Sequence, residues 1–231
     1  MAITKQQLFE ASAKDTYIIL MTENQRAQAV KDKLITQEDI NRVGPALTAA
    51  EKRELFSTIP FARILYLVTV ASLGKAELEL DRLQNDLKNL NEWIQKLNDI
   101  MAHGTELNAK KDEKDRRMVF WDEKLIGAHE VLNAIKTKFG DKVDIELFFR
   151  RKDPNKKDDK YGGMFMDRSE GIPANIAIEK IRNISTTLDN EVKTNSTKIQ
   201  KVNSTYNTLL ETISFVSKKV NDAALSALSK I

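Results

Sequence analysis

The chain has 231 residues, of which 41% are hydrophobic, with 37 basic against 34 acidic side chains, a net charge of +3 and no cysteine. This composition excludes a disordered tail, disulfide or thiol chemistry and a Cys-ligated metal, and with the charges mixed along the chain the numbers force no strongly basic face, so nucleic acid is not the expected partner. The length allows one large or two small domains with a real core.

The first ten residues have no apolar stretch followed by a small-residue cleavage site, so ordinary signal-peptide export is not expected. Residues from about Thr4 to Leu34 read as helix, with Leu8, Ala11, Ile18 (or Ile19) and Ala29 on the apolar side. Thr36 and Asp39 make a capping-box start for a short element that Gly44-Pro45 stops. Thr48 and Glu51 open another by the same logic, and Pro60 closes it. The most apolar run, Ile64 to Leu73, is far shorter than the roughly 20 residues of a spanning helix and reads as buried helix.

A seam of apolar residues alternating three and four apart follows, through Leu73, Ala76, Leu80, Leu83, Leu87, Leu90, Ile94, Leu97 and Met101. Gly104 is placed as its C-terminal stop, and Lys110 to Arg117 as solvated linker. A mixed insert comes next. Phe120 and Trp121 begin an amphipathic helix with Leu125, Ile126, His129, Leu132 and Ile135, ending near Gly140. Val143 to Phe149 alternates as the best strand of the chain, and Tyr161 to Met166 is its candidate hairpin partner, with Gly162-Gly163 in the turn. Between them Arg150, Arg151, Lys152, Lys156, Lys157 and Lys160 form an exposed basic loop, interrupted by Asp153, Asp158 and Asp159.

Pro173 precedes the last and longest element. Its seam runs through Ile178, Ile181, Ser185, Leu188, Val192, Asn195, Ile199, Val202, Tyr206, Leu209, Ile213, Val216, Val220, Ala223 and Ala227. Such a seam stays on one side of a helix that packs along its length against another helix. The expected fold is therefore mainly α: a helical N-terminal region (1–60), a first coiled-coil helix (61–102), a small α+β insert (103–174) and a C-terminal coiled-coil helix (175–231), the two long helices forming an antiparallel hairpin. Leu80, Leu83, Leu87, Leu90, Ile94 and Leu97 face Ile199, Val202, Tyr206, Leu209 and Ile213 in that reading. The second helix, roughly 75 Å against roughly 60 Å for the first, leaves an excess for an outside partner. Val216, Val220, Ala223, Ala227, Leu228 and Ile231 are the expected assembly interface, since small side chains allow close helix approach.

Chemistry is sparsely signalled. His103 and His129 stand in different segments with no carboxylate at ligand spacing, and the pairs Asp112/Glu113 and Asp158/Asp159 are neutralised by neighbouring lysines. The expectation is a protein that is not an enzyme and needs no metal or cofactor.

Asp167-Arg168-Ser169, then Leu188-Asp-Asn-Glu-Val-Lys193, Tyr206-Asn-Thr-Leu-Leu-Glu-Thr-Ile213 and a terminal Leu228-Ser-Lys-Ile231, carry a family likeness. This ending resembles that of the type III secretion needle-tip proteins, the hydrophilic translocators that include V-antigens and invasin-type tip proteins, and the related filament-forming extension proteins. The order of a helical N-terminal region, a middle long helix, a mixed insert and a C-terminal long helix is similar too. The chain is shorter than the V-antigens, which leaves tip cap and filament subunit both open. The resemblance implies a secreted virulence protein at the bacterial cell surface. It would be exported without a cleavable signal with help from a cytosolic chaperone, and would self-assemble through the Tyr206 to Ile231 tail on the needle subunit. There it would support delivery of hydrophobic translocators, touching the host membrane only indirectly. Two other classes compete: an α-helical membrane-active, pore-forming protein that inserts Ile64 to Leu73, and a cytosolic coiled-coil adaptor.

Overall fold

Hydroxyl side chains set the start of every short helix at the N-terminal end. Thr4, Ser12, Thr22, Thr36 and Thr48 each accept a hydrogen bond from the backbone N–H three residues on, and so begin α1 (Lys5–Glu10), α2 (Ala13–Leu20), α3 (Glu23–Lys31), α4 (Gln37–Val43) and α5 (Ala49–Ser57). In four of them the third helical residue bonds back, as in Thr22 N–H to Gln25 Oε1 at 2.8 Å and Thr48 N–H to Glu51 Oε2 at 2.8 Å. The computed structural model describes residues 4–112, 116–118, 128–145, 148 and 172–228, and for Lys5, His129 and 223–228 it describes the backbone only.

The single helix expected over 4–34 is thus three helices. Ala11 and Met21 are extended, and a hydroxyl cap follows each at once. Within α2 the adjacent Ile18 and Ile19 stand about 100° apart around the helix and enter different clusters. Ile19 joins Leu8, Leu47, Ile59 and Leu67, while Ile18 joins Met21, Ala29 and Ile35, so both isoleucines are core. The expected starts at Thr36 and Thr48 stand as read, and Gly44 ends α4 with φ +80, where glycine carries no Cβ strain.

The first long helix, α6, runs Phe61–Asn108 without interruption, and the last, α8, runs Ala174–Leu228. The fold is mainly α, with α6 packing against α8 and a small mixed insert between them in sequence. Gly104 does not stop α6. It is buried inside the helix, where an added Cβ would meet Met118 Cε at 2.6 Å and Ile178 Cγ1 at 2.9 Å, so the glycine serves close packing against the insert and α8. At 48 residues α6 is longer than expected, and the excess of the 55-residue α8 shrinks to about two turns.

Two compact units divide the chain. One comprises Met1–Asn85 and Ser196–Ile231, the other Asp86–Asn195. In the first, backbone lies directly on backbone: a Cβ on buried Gly74 of α6 would stand 2.6 Å from Lys14 N and would overlap the Ala13 carbonyl outright. Arg26, buried in α3, donates from Nε to Ile18 O at 3.0 Å and from Nη1 to Gly44 O at 2.6 Å, while Lys52 Nζ donates to Leu20 O at 2.7 Å. Two cations thereby satisfy carbonyls at the C-terminal end of α2, where such groups lack helical partners. Lys14 pairs with Asp81 of α6, and Arg42 with Asp15 and Asp39 at 2.7 and 3.0 Å, but these pairs are exposed and contribute little.

In the second unit Leu90, Leu97, Ile100 and Leu107 of α6 share one core with Ala177, Ile181, Ile184 and Leu188 of α8. The insert closes it with Met118, with Leu132 and Ile135 of α7 (Ala128–Phe139), and with Ile145 and Phe148. Strand β1 (Arg117–Met118) pairs antiparallel with β2 (Ile172–Pro173), Met118 opposite Ile172. Pro173 thus ends a strand and stands immediately ahead of α8, where the sequence reading put it.

The strand expected over Val143 to Phe149 is a correction. Residues 140–142 form a 3-10 turn, Val143 to Ile145 are irregular, and Phe148 N–H donates to Ile145 O at 2.9 Å, which is a turn. Val143, Ile145 and Phe148 are all buried in the core shared with α7 and α8, while Leu147 and Phe149, the rest of the expected alternation, lie outside the described residues. The expected hairpin strand at 161–166, residues 120–127 of the insert helix and the basic loop lie outside the described residues.

Candidate assembly surface

The side of α8 carrying Ile199, Val202, Tyr206, Leu209 and Ile213 is half-buried throughout, and Val216 is buried. At about 100° per residue these positions fall on one strip of the helix. Their expected counterparts on α6 divide by unit and by turn: Leu83, Leu90 and Leu97 are buried, while Leu80, Leu87 and Ile94 are half-buried. Seam reading missed Ile100, Ile184 and Ala177, which are buried because the second unit covers more than one strip of each helix. Of the two polar seam positions, Asn195 is buried at the end of that unit and Ser185 is half-buried.

The expected interface residues fall into three groups. Val216 is covered within the chain itself and Val220 is half-buried. Ala223, Ala227 and Leu228 lie on the continuous α8 backbone, their side chains outside the described residues, as is Ile231 entirely. Arg150, Arg151, Lys152, Lys156, Lys157 and Lys160 are also outside them.

What α8 exposes is different from what the seam suggested. Phe215 is 61% exposed and Leu210 42%. Phe215 follows Ile213 by two residues, about 200° around the helix, so it stands on the side away from the seam. Lys219 lies over its ring at 5.6 Å from the centroid, a contact that orders the phenyl without covering it. On α6, Phe61 (79%), Leu65 (42%) and Val68 (50%) are exposed as well. A helical wheel drawn for off-seam aromatics finds Phe215. For Phe61, Leu65 and Val68 no sequence signal exists, since Ile64 and Leu67 beside them are equally apolar.

Among the described residues no group of three or more His, Asp or Glu side chains is placed to hold a metal ion. His103 is buried in α6 with Nδ1 3.8 Å from Glu106 Oε2, so, contrary to the sequence expectation, it has a carboxylate at i+3 on the same helix. No helix among the described residues is long and apolar enough to cross a membrane. Compared with known proteins, the chain matches no family model, no curated protein and no solved structure.

Proposed function

We propose that this chain is a structural subunit of a type III secretion apparatus, a needle-tip protein that works by self-assembly and carries out no catalysis. The observation that carries the reading is the unbroken course of α8 from Ala174 to Leu228, with a seam on one side and exposed Leu210 and Phe215 off it. A helix whose seam is used within its own fold and whose other sides present apolar groups suits repeated packing against neighbours. The sequence likeness of 188–231 to the V-antigen ending supports the specific apparatus. In this reading the distal part of α8 contacts other copies and the needle subunit, hydrophobic translocators are delivered past the assembly, and a chaperone holds the chain before export.

A filament-forming extension subunit is the second reading, supported by the small size of the chain beside the V-antigens. Negative-stain electron microscopy of the purified chain over a range of concentrations, alone and with polymerised needle subunit, separates the two. Caps at needle ends are expected for a tip protein, and long filaments of the chain alone for an extension subunit. A chain that stays monomeric at every concentration and ignores needles sinks both.

A further inference from the structure

Arg26 of α3 is a charge buried among the N-terminal helices, with no carboxylate in ion-pair reach among the described residues. Its guanidinium meets main-chain carbonyls instead, Ile18 O of α2 from Nε and Gly44 O at the end of α4 from Nη1, and Nη2 is buried with no protein acceptor. Glu23 acts on it only through space, its carboxylate accepting from Ala46 N–H at 3.1 Å. A second cation, half-buried Lys52 of α5, donates to Leu20 O. Burial pushes both cations below their ordinary pKa, and at Lys52 the charge of Arg26 adds to that. The carbonyl ends of α2 and α4 offset part of the charge, but a buried cation without a paired anion remains costly to the fold.

The same bonds join four helices. Arg26 ties α3 to α2 and to the end of α4, Lys52 ties α5 to α2, and Arg42 of α4 pairs with Asp15 of α2 at 2.7 Å. These helices have seven to nine residues, too few to hold alone in water. Opening α2 or α4 alone would leave the buried guanidinium short of an acceptor, and opening α3 alone would bare the carbonyls it holds, so none of the three opens singly. Among the described residues the hold on α6 is two small apolar clusters, of five and four buried side chains against seventeen in the second unit, and the exposed Lys14–Asp81 pair. Regions with few buried apolar contacts open first.

We infer that α2–α5 are a cap over α6 that melts and reforms as one segment while both long helices stay helical, and that the charge of Arg26 keeps this opening easy. In the open form water solvates the guanidinium, and the free energy lost on burying it is recovered. Opening bares α6 at Leu67 and along the backbone at Gly74, where Ile19 and Ala13 now lie. The second unit, with the larger core and no part in these bonds, opens only with the whole fold. The inference stands apart from the assembly reading, which uses distal α8.

Hydrogen exchange of the full chain, followed by mass spectrometry at neutral pH, is the test. Amides of α2, α3, α4 and α5 are expected to share one opening, about tenfold or more as frequent as that of α6 around Leu97 and of α8 around Ile181. Arg26→Met, apolar and of similar length, is expected to slow exchange in all four by about tenfold and to leave the second unit unchanged. Leu67→Ala, which weakens the seat on α6 and leaves the bonds within the cap in place, is expected to speed all four together. Different rates among α2–α5, or one rate shared with the second unit, overturns the cap. Faster cap exchange in Arg26→Met than in wild type, or a Met variant that does not fold, overturns the role given to the charge. Speeding of one helix alone by Leu67→Ala overturns the joint opening.

Discussion

Replacing Gly74 by alanine sets two terms of known sign against each other. In an isolated helix the change stabilises by about 1 kcal/mol, because glycine is the poorer helix former by that amount. In this fold the new methyl would lie 2.6 Å from Lys14 N and closer still to the Ala13 carbonyl, against ordinary contact from 3.4 Å. The obstacle is α2 backbone, which has no rotamer to adopt, so α2 must retreat from α6 by about 1 Å or more. Overpacking of this kind costs about 1–3 kcal/mol, with rigid backbone at the upper end. The retreat also parts Lys14 from Asp81 and loosens Leu8 and Ile19 around Leu67. A net loss of about 2 kcal/mol is expected from these terms. Gly104→Ala is the control, since its nearest neighbour is the flexible end of Met118, and its net change is expected within about 1 kcal/mol of zero. Urea melts followed by circular dichroism give both values, and hydrogen exchange of α2 amides locates the loss. A Gly74→Ala protein more stable than wild type would refute the backbone-on-backbone contact.

Other expectations follow from burial and capping. Leu97→Ala, at a fully buried site in the second unit, is expected to cost about 2–5 kcal/mol in the same melts. Phe215→Ser, at an exposed site, is expected to change stability by less than about 0.5 kcal/mol yet to reduce assembly in electron micrographs. Thr48→Ala removes the hydroxyl that caps α5 and is expected to cost about 1 kcal/mol. Stability should also fall in acid. Asp39 is held below the ordinary carboxylate range first by the Thr36 backbone N–H, and Glu51 first by the Thr48 hydroxyl. A lowered folded value means their contribution is full above about pH 4 and disappears as pH falls further. Lys14, raised mainly by its hydrogen bond to Asp81, acts in the opposite sense: its contribution is full below about pH 10 and is lost above. A flat stability profile between about pH 5 and pH 3 would count against the capping assignment.

Local signals were legible in the sequence wherever a single residue type decides the backbone. Thr36, Thr48, Gly44 and Pro60 marked ends that the fold keeps, and the three-four periodicity from Leu73 onward identified both long helices, because an apolar strip of that period has no other regular use. The breaks at Ala11 and Met21 were legible too, through Ser12 and Thr22, but periodicity alone passed over them.

Tertiary structure alone decided the rest. Gly104 reads locally as a helix stop, and only Met118 and Ile178, brought in from distant parts of the chain, make it an interior packing position. Val143 and Ile145 alternate like the start of a strand but pack, with Phe148, as irregular chain in the core shared with α7 and α8. Exposure of Phe61, Leu65 and Val68 beside buried Leu67 depends on which helices arrive from elsewhere to cover α6. Sequence fixes which side chains share a face of a helix; what covers that face is set by contacts between residues far apart in the chain.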